Sequence, residues 1–358
     1  MLFKQTSAIV MKALLLSLLM VKSALADDVS IVGSIKHHFK KNNISSHTGS
    51  EHSIQLLQVE LSDEEKNYLA RQANDALSHK GQFSQESLNS QNYLAIPEKV
   101  QNGMNKVPVL DQGIHGTCVT FAVTGAIDAL IGKGDYVSQL CNLQLGKYLA
   151  NHGGSPSGWD GSYPRDVINQ ITQYGVVNKA KQKSIGCGGL TEYPAKFLLT
   201  GDSIDPEKFH SMSELVFGKV ANWSSVFVKH QPAQTLTEVK QALQSGDRVI
   251  FAVLLPRPEL GTVGAVGKHK TWIAKDSWVL TPTIINSAKN AKTAHELIIT
   301  GYDDNATAVD ARGIYHKGLL TLRNSWGSSR GNYGEFYMAY DYFKYLAFDA
   351  ERFSSNSN

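Results

Sequence analysis

A cysteine at the head of an apolar helix is well placed to ionise, and one stretch of this chain has that form. Gln112-Gly113-Ile114-His115-Gly116-Thr117-Cys118 runs into the apolar segment Val119 to Ile131. A helix N-terminus favours negative charge, so it raises the thiolate fraction of a cysteine seated there. Free N–H groups of the first turn can point at an oxyanion, and the Gln112 amide offers a further donor. The glycines let backbone approach a substrate closely. By itself Cys118 would read as a small buried hydrophobe on a core helix. Two distant stretches argue for chemistry instead. In Ala294-His295-Glu296-Leu297-Ile298-Ile299-Thr300-Gly301-Tyr302 a histidine heads an apolar, strand-like run. Leu322-Arg323-Asn324-Ser325-Trp326-Gly327 closes another. A cysteine followed far downstream by a histidine and an asparagine is the order of a Cys-His-Asn nucleophilic triad.

In order and separation, Gln112, Cys118, His295 and Asn324-Ser325-Trp326-Gly327 resemble the papain-like cysteine proteases. The resemblance implies an α+β fold of two lobes, one helical and one an antiparallel β-barrel-like lobe, with the active-site cleft between them. It implies Cys118 as nucleophile, His295 as base and then acid, and Asn324 as the residue that orients the imidazole. Gln112 and the Cys118 N–H would hold the oxyanion, and Trp326 would shield the His295–Asn324 bond from water. Gly158-Trp159-Asp160-Gly161-Ser162 falls where the family lines its cleft, so Gly161 and Ser162 are expected to meet an extended substrate backbone. Two positions depart from the pattern together. His115 stands where many members have a cysteine, and Trp159 where its disulfide partner would be. Val119 also replaces the tryptophan that often follows the nucleophile. His115 precedes Cys118 by only three residues on a turn, so a structural role is expected for it.

The elements that must position these groups are partly legible. The segment after Cys118 is apolar on nearly every face, which marks a buried helix. Ser138 to Ala150 and Tyr163 to Tyr174 read as further helices. Ser62-Asp63-Glu64-Glu65 is a capping box that starts a helix to about His79. Thr235-Leu236-Thr237-Glu238 is a second capping box, starting a helix that Gly246 ends. Val29 to Ile35 and Ile54 to Leu61 read as a hairpin, with His37 to Ser53 as its exposed connection. Val249 to Leu255, Glu296 to Tyr302 and Gly318 to Arg323 read as strands, with Glu335 to Tyr340 the last strand. Asp303-Asp304 reads as a turn, and the tail from Ser354 to Asn358 is expected to be disordered. Lys179 to Pro232 carries no informative pattern. Leu260 to Thr293 reads as an insertion with hints of strand near Trp272 and Trp278.

Composition bounds the rest. At 358 residues the chain can bury a sizeable core, and a formal net charge of +3 gives no basis for nucleic-acid binding. Zinc-type spacings and phosphate-binding glycine loops are absent from the sequence, and His37, His38, His47 and His52 read as solvated. No metal and no cofactor are therefore expected. Lys4 and Lys12 precede the apolar run Ala13 to Val21, and Ala24-Leu25-Ala26 forms a small-x-small cleavage site. Residues 1–26 thus read as a secretory signal peptide, with Met11 an alternative start, and the product as secreted, extracellular or periplasmic. Residues 27–95 sit where the family carries an inhibitory pro-region, and a retained accessory module is the alternative. Residues 96–358 would be the peptidase domain, its start near Ile96-Pro97-Glu98-Lys99-Val100 exposed by processing between Ser84 and Ala95. Of the three cysteines, Cys141 and Cys187 form either a disulfide or two separate buried thiols. The few cysteines lean towards a bacterial source. The function that follows is a monomeric endopeptidase, made as a zymogen, acting on peptides or proteins and held by its own pro-region. An exopeptidase or another acyl-transfer hydrolase on the same fold is the alternative within enzymes. A catalytically silent binding module is the alternative outside them.

Overall fold

The computed structural model describes residues 28–38, 53–78, 96–256 and 276–356. Residues 1–27, which include the expected signal segment, and residues 39–52, 79–95, 257–275 and 357–358 lie outside the described residues.

Strand β1 (Val29–His38) pairs antiparallel with β2 (Ser53–Leu61), from Val29 opposite Leu61 to His38 opposite Ser53. β1 therefore outruns the expected strand by the residues that continue this ladder. Helix α1 (Asp63–Ser78) follows, with Ser62 Oγ accepting the Glu65 N–H at 3.1 Å and three acids in its first turn. After β3 (Lys99–Gln101) comes α2 (Cys118–Ile131), buried from Cys118 to Ala129 and closed by Gly132 at φ 68°. Helices α3 (Gln139–Asn151) and α4 (Pro164–Tyr174) pack beside it. The region without readable pattern holds two helices of about two turns each, α5 (Lys179–Ile185) and α6 (Pro206–Met212), and β4 (Ala221–Ser225). Asn178 and Asp205 cap those helices through their side chains.

The rest builds a sheet. It comprises β5 (Arg248–Leu254), β6 (Ser277–Trp278), β7 (Thr293–Val309), β8 (Tyr315–Arg323), β9 (Glu335–Ala339) and β10 (Ala347–Ser355), with β4 at one edge. The order is β4-β10-β5-β7-β8-β9-β6, antiparallel except for β6 beside β9. β2 and β3 both add to β7, so β7 is the strand on which the architecture converges. Helix α2 packs across this sheet, and a smaller core around Leu140, Cys141, Leu143 and Phe209 fills the helical half. The result is the expected α+β arrangement of a helical half and a mostly antiparallel sheet. Among the described residues, no helix is long and apolar enough to cross a membrane.

Four expectations are corrected. The helix α7 (Pro232–Gln244) starts at Pro232, not at Thr235. Proline suits the first helical turn because its missing N–H is an orphan there. The Thr235 hydroxyl instead accepts the Val228 N–H at 3.0 Å. Asp303-Asp304 is no turn: β7 continues through it to Val309, and Lys99 and Lys240 pair with the two acids. β9 is followed by α8 (Tyr340–Leu346) and then β10, so it is not the last strand. The tail up to Ser355 is paired with β4 as far as Ser355 opposite Ala221. β10 escapes a hydropathy reading because Asp349 and Glu351 interrupt its apolar residues.

Cys141 and Cys187 are joined, with Cα atoms 5.1 Å apart, and Cys118 is free. Alkylation of the denatured chain is expected to add one label before reduction and three after it. Replacing both bridged cysteines by serine should cost about 2–4 kcal/mol, read as a lower Tm. Three labels without reductant would refute the bridge.

Asp128 lies on α2 with no exposure, and its carboxylate accepts the N–H groups of Tyr136 and Val137, each at 3.0 Å. Burial pushes its carboxyl up to about 8 against the lowering effect of those bonds. An unfolded aspartate titrates near 4, so the folded chain binds this proton more tightly. The contribution is full below about pH 4 and is lost as pH rises through 8. Asp128→Asn should remove a decline on the order of a few kcal/mol across that window. Melting curves from pH 4 to 8 test this; an unchanged slope in the variant would rule it out.

Candidate active site

The residues picked out by chemistry meet at one place. Cys118 is the first residue of α2, and it is wholly buried. Its thiol is within reach of the Glu296 N–H, the residue next to His295. His295 Nε2–H donates to Asn324 Oδ1 at 2.8 Å, and the Ser325 N–H donates to the same oxygen at 2.7 Å. Two donors converging on this atom mark it as the amide oxygen and hold the asparagine still. His295 Nδ1 has no hydrogen-bond partner among the described residues. The Trp326 ring stacks on His295 with centroids 4.6 Å apart and covers it. β7 and β8 bring the pair together: Ile298 lies opposite Arg323, so the start of β7 and the end of β8 adjoin.

Gln112 is tied into the same cluster. Its N–H donates to the Ser325 carbonyl at 2.8 Å, and its side-chain oxygen accepts the Ser325 hydroxyl at 2.7 Å. Its amide nitrogen donates to the carbonyls of His115 at 3.0 Å and Gln55 at 3.2 Å. Tyr193 donates to the Gln112 carbonyl at 2.8 Å and bonds Thr117 at 2.9 Å, bracing the loop before the cysteine. Sequence reading missed Ser325 as a support for Gln112, although it lies inside the motif. It also missed Tyr193, for which no local signal exists.

His115 and Trp159 are in contact, ring edge to ring face with centroids 5.0 Å apart, and Trp159 stacks on Tyr193. His115 Nε2 also lies 3.0 Å from the carbonyls of Pro194 and Phe197. An aromatic cluster thus joins the two loops, with the His115 ring held within it. The loops are further zipped by Gly116 N–H to Trp159 O and Gly161 N–H to Gly116 O, both 3.0 Å.

The N-terminal hairpin lies across all of this. β2 continues onto β7, with Leu57 opposite Ala294 and Gln58 opposite Thr293. The Gln55 carbonyl takes the Gln112 amide. β1 runs against the glycine-rich loop: a methyl group on Gly161 would lie 2.8 Å from the Gly33 carbonyl oxygen, and Gly161 has φ +97°. Glycine alone fits there. The Ser34 hydroxyl bonds the Asp160 carboxylate, and the Ile31 N–H donates to the Tyr163 hydroxyl at 3.0 Å. Ser162 is buried, and its hydroxyl has no partner among the described residues.

Cys118 and His295 are both fully buried, and burial governs their titration. Burial pushes the Cys118 thiol up to about 12; the Glu296 N–H lowers it, and the Glu296 carboxyl raises it. Burial likewise draws His295 down to about 4, against the opposing hydrogen bond to Asn324. Both groups are neutral at pH 7 in this arrangement. Among the described residues, Asp28, Glu65 and His230 place ligand-type atoms within 4.8 Å of one another.

No protein-family model and no curated protein matches the sequence. Solved structures do match the fold. Xylellain, a cysteine protease from Xylella fastidiosa, is 18% identical with a TM-score of 0.47, over 74% of this chain and 88% of its own. Digestive procathepsin L 3 of Tenebrio molitor is 16% identical with a TM-score of 0.45, over 82% and 90%. The bromelain protease from Ananas comosus, solved with the E64 inhibitor, is 15% identical with a TM-score of 0.46, over 74% and 100%.

Proposed function

We propose that the chain is a papain-like cysteine endopeptidase, exported through its N-terminal signal segment and held latent by residues 27–95. The observation that carries this reading is the His295–Asn324 bond of 2.8 Å beside a free cysteine at a helix start. In the proposed reaction, His295 Nδ1 takes the Cys118 proton and the thiolate attacks a peptide carbonyl carbon. The oxyanion is held by the Gln112 amide and the Cys118 N–H. The imidazolium then protonates the leaving amine, and a water activated by His295 hydrolyses the thioester. Asn324 keeps the ring turned with Nδ1 toward sulfur. The substrates are peptides or proteins, and the enzyme acts as a monomer.

Latency is supported by the hairpin. It takes the Gln112 donor and pairs with the strand that bears His295, while Cys118 itself is fully buried. The test is intact-mass labelling with an epoxysuccinyl thiol inhibitor on the chain from Asp27, the chain from Ile96, and Cys118→Ala. One adduct confined to the shorter chain, and absent from the variant, is the expected result. Equal labelling of both lengths would overturn latency alone. Absence of labelling in every folded form would overturn the peptidase.

A further inference from the structure

Helix α2 opens without a side-chain cap, although a residue that could cap it is present. Thr117 stands just before Cys118, yet its hydroxyl takes no first-turn N–H. Threonine is a favoured residue at this position. Among the described residues, the other α-helices preceded by serine, threonine, asparagine or aspartate are capped. Ser62, Ser138, Asn178 and Asp205 each accept the N–H of the residue three further on, and so does Thr281 before the helix Pro282–Ser287. The backbone differs as well. Ser138, Asn178, Asp205 and Thr281 are extended, with ψ from 110° to 160°. Thr117 has φ −100° and ψ 13°, in the sparsely used bridge region where many active-site residues sit.

The Thr117 hydroxyl is held elsewhere. It lies 2.9 Å from the Tyr193 hydroxyl, which gives its own proton to the Gln112 carbonyl at 2.8 Å. A phenol has one proton, so Thr117 is the donor to Tyr193. Burial pushes the Tyr193 phenol up, which keeps that proton in place. The ring itself is fixed by its neighbours. It stacks on Trp159 with centroids 5.7 Å apart, and meets Phe121 and His115 edge to face at 4.9 Å and 5.8 Å.

What the missing cap leaves free is the first turn. The N–H groups of Val119 and Cys118 act on the Cys118 sulfur in the direction that favours its thiolate. A capping hydroxyl bonds the second or third N–H of a helix, here that of Val119 or Thr120. An oxygen seated there would compete with sulfur for the Val119 donor and set a lone pair beside the developing negative charge. We propose that Tyr193 is a positioning residue for the nucleophile: by taking the Thr117 hydroxyl it keeps the start of α2 uncapped and its donors free for the Cys118 thiolate. The proposal rests on the reading of Cys118 as nucleophile. Tyr193 acts through Thr117 and the helix end, not by contact with substrate.

The test is the rate of Cys118 alkylation by iodoacetamide as a function of pH, on the full chain after limited proteolysis. Cys141 and Cys187 are bridged, so the label reports one thiol. Alkylation needs no oxyanion donor, so the loss of the bond to Gln112 does not enter the rate. Wild type, Tyr193→Phe, and Tyr193→Phe combined with Thr117→Val are compared; none of them alters Glu296 or His295. In Tyr193→Phe the Thr117 hydroxyl is released to cap the helix. The midpoint of the profile should rise by about one unit, and the rate on its acid limb should fall about 10-fold. Removing that hydroxyl as well should restore most of the rate, whereas a purely structural Tyr193 makes the double variant no better than the single one. If Tyr193→Phe does not fold, Thr117→Asn, which introduces a stronger cap, should label more slowly than Thr117→Val. An unchanged profile in Tyr193→Phe, a double variant that stays slow, or Thr117→Asn as fast as Thr117→Val would overturn the proposal and leave the peptidase intact. A wild type that neither cleaves any peptide nor labels with the epoxysuccinyl inhibitor would overturn the peptidase reading itself.

Discussion

Cys118→Ala is expected to lower kcat/KM on peptide substrates by about 10⁴-fold or more. In the proposed reaction the sulfur forms the acyl intermediate, so the residual rate would come from binding and oxyanion donors alone. Alanine should be tolerated, since Cys118 is buried in a packed helix start and only one heavy atom is lost. Asn324→Ala should be milder, about 10²-fold, because the base persists and only its orientation is lost. The ordering separates the two roles. A Cys118→Ala variant retaining more than about a tenth of wild-type activity would point to a different nucleophile.

The second large effect concerns the hairpin. Ser34→Asp in the full chain should accelerate labelling of Cys118 about 10-fold or more, without any cleavage of the linker. Ser34 bonds the Asp160 carboxylate, so an aspartate there sets two negative groups face to face. At contact distance that repulsion is worth about 1 kcal/mol in water and about 4 kcal/mol near a protein surface. The near-surface value applies to this docked pair and exceeds the 1.4 kcal/mol that makes about a factor of ten. The substitution touches none of Cys118, His295, Asn324 or Gln112. Other ties remain, including Lys229 to Asp28 at 2.6 Å and the Tyr345 hydroxyl to the Leu69 carbonyl at 3.0 Å, so release should be partial. If the labelling rate does not change, the hairpin is part of the permanent structure and not a plug.

Local patterns were readable where one face or one cap sufficed. The apolar α2, the Ser62 cap and the β5 strand each follow from residues within a turn or two. The reading failed where longer-range contacts override such signals. Thr235 has the form of a cap but serves Val228, because Pro232 had already opened the helix. β10 carries two acids yet is central, because its neighbours on both sides supply the pairing.

The sequence by itself determined which kinds of group are present: a cysteine at a helix start, a histidine opening a strand, and an asparagine closing another. Those assignments need only local periodicity and the chemistry of each side chain. The tertiary structure decided which of them meet. Ser325 braces Gln112 across 213 residues, and Gln55 reaches the same glutamine across 57. Glu296 joins Asp349 and Glu351 through a third strand. The reason is physical: such meetings are set by strand register summed across a sheet and by packing on α2. A one-residue shift of register would turn every one of those side chains to the other face.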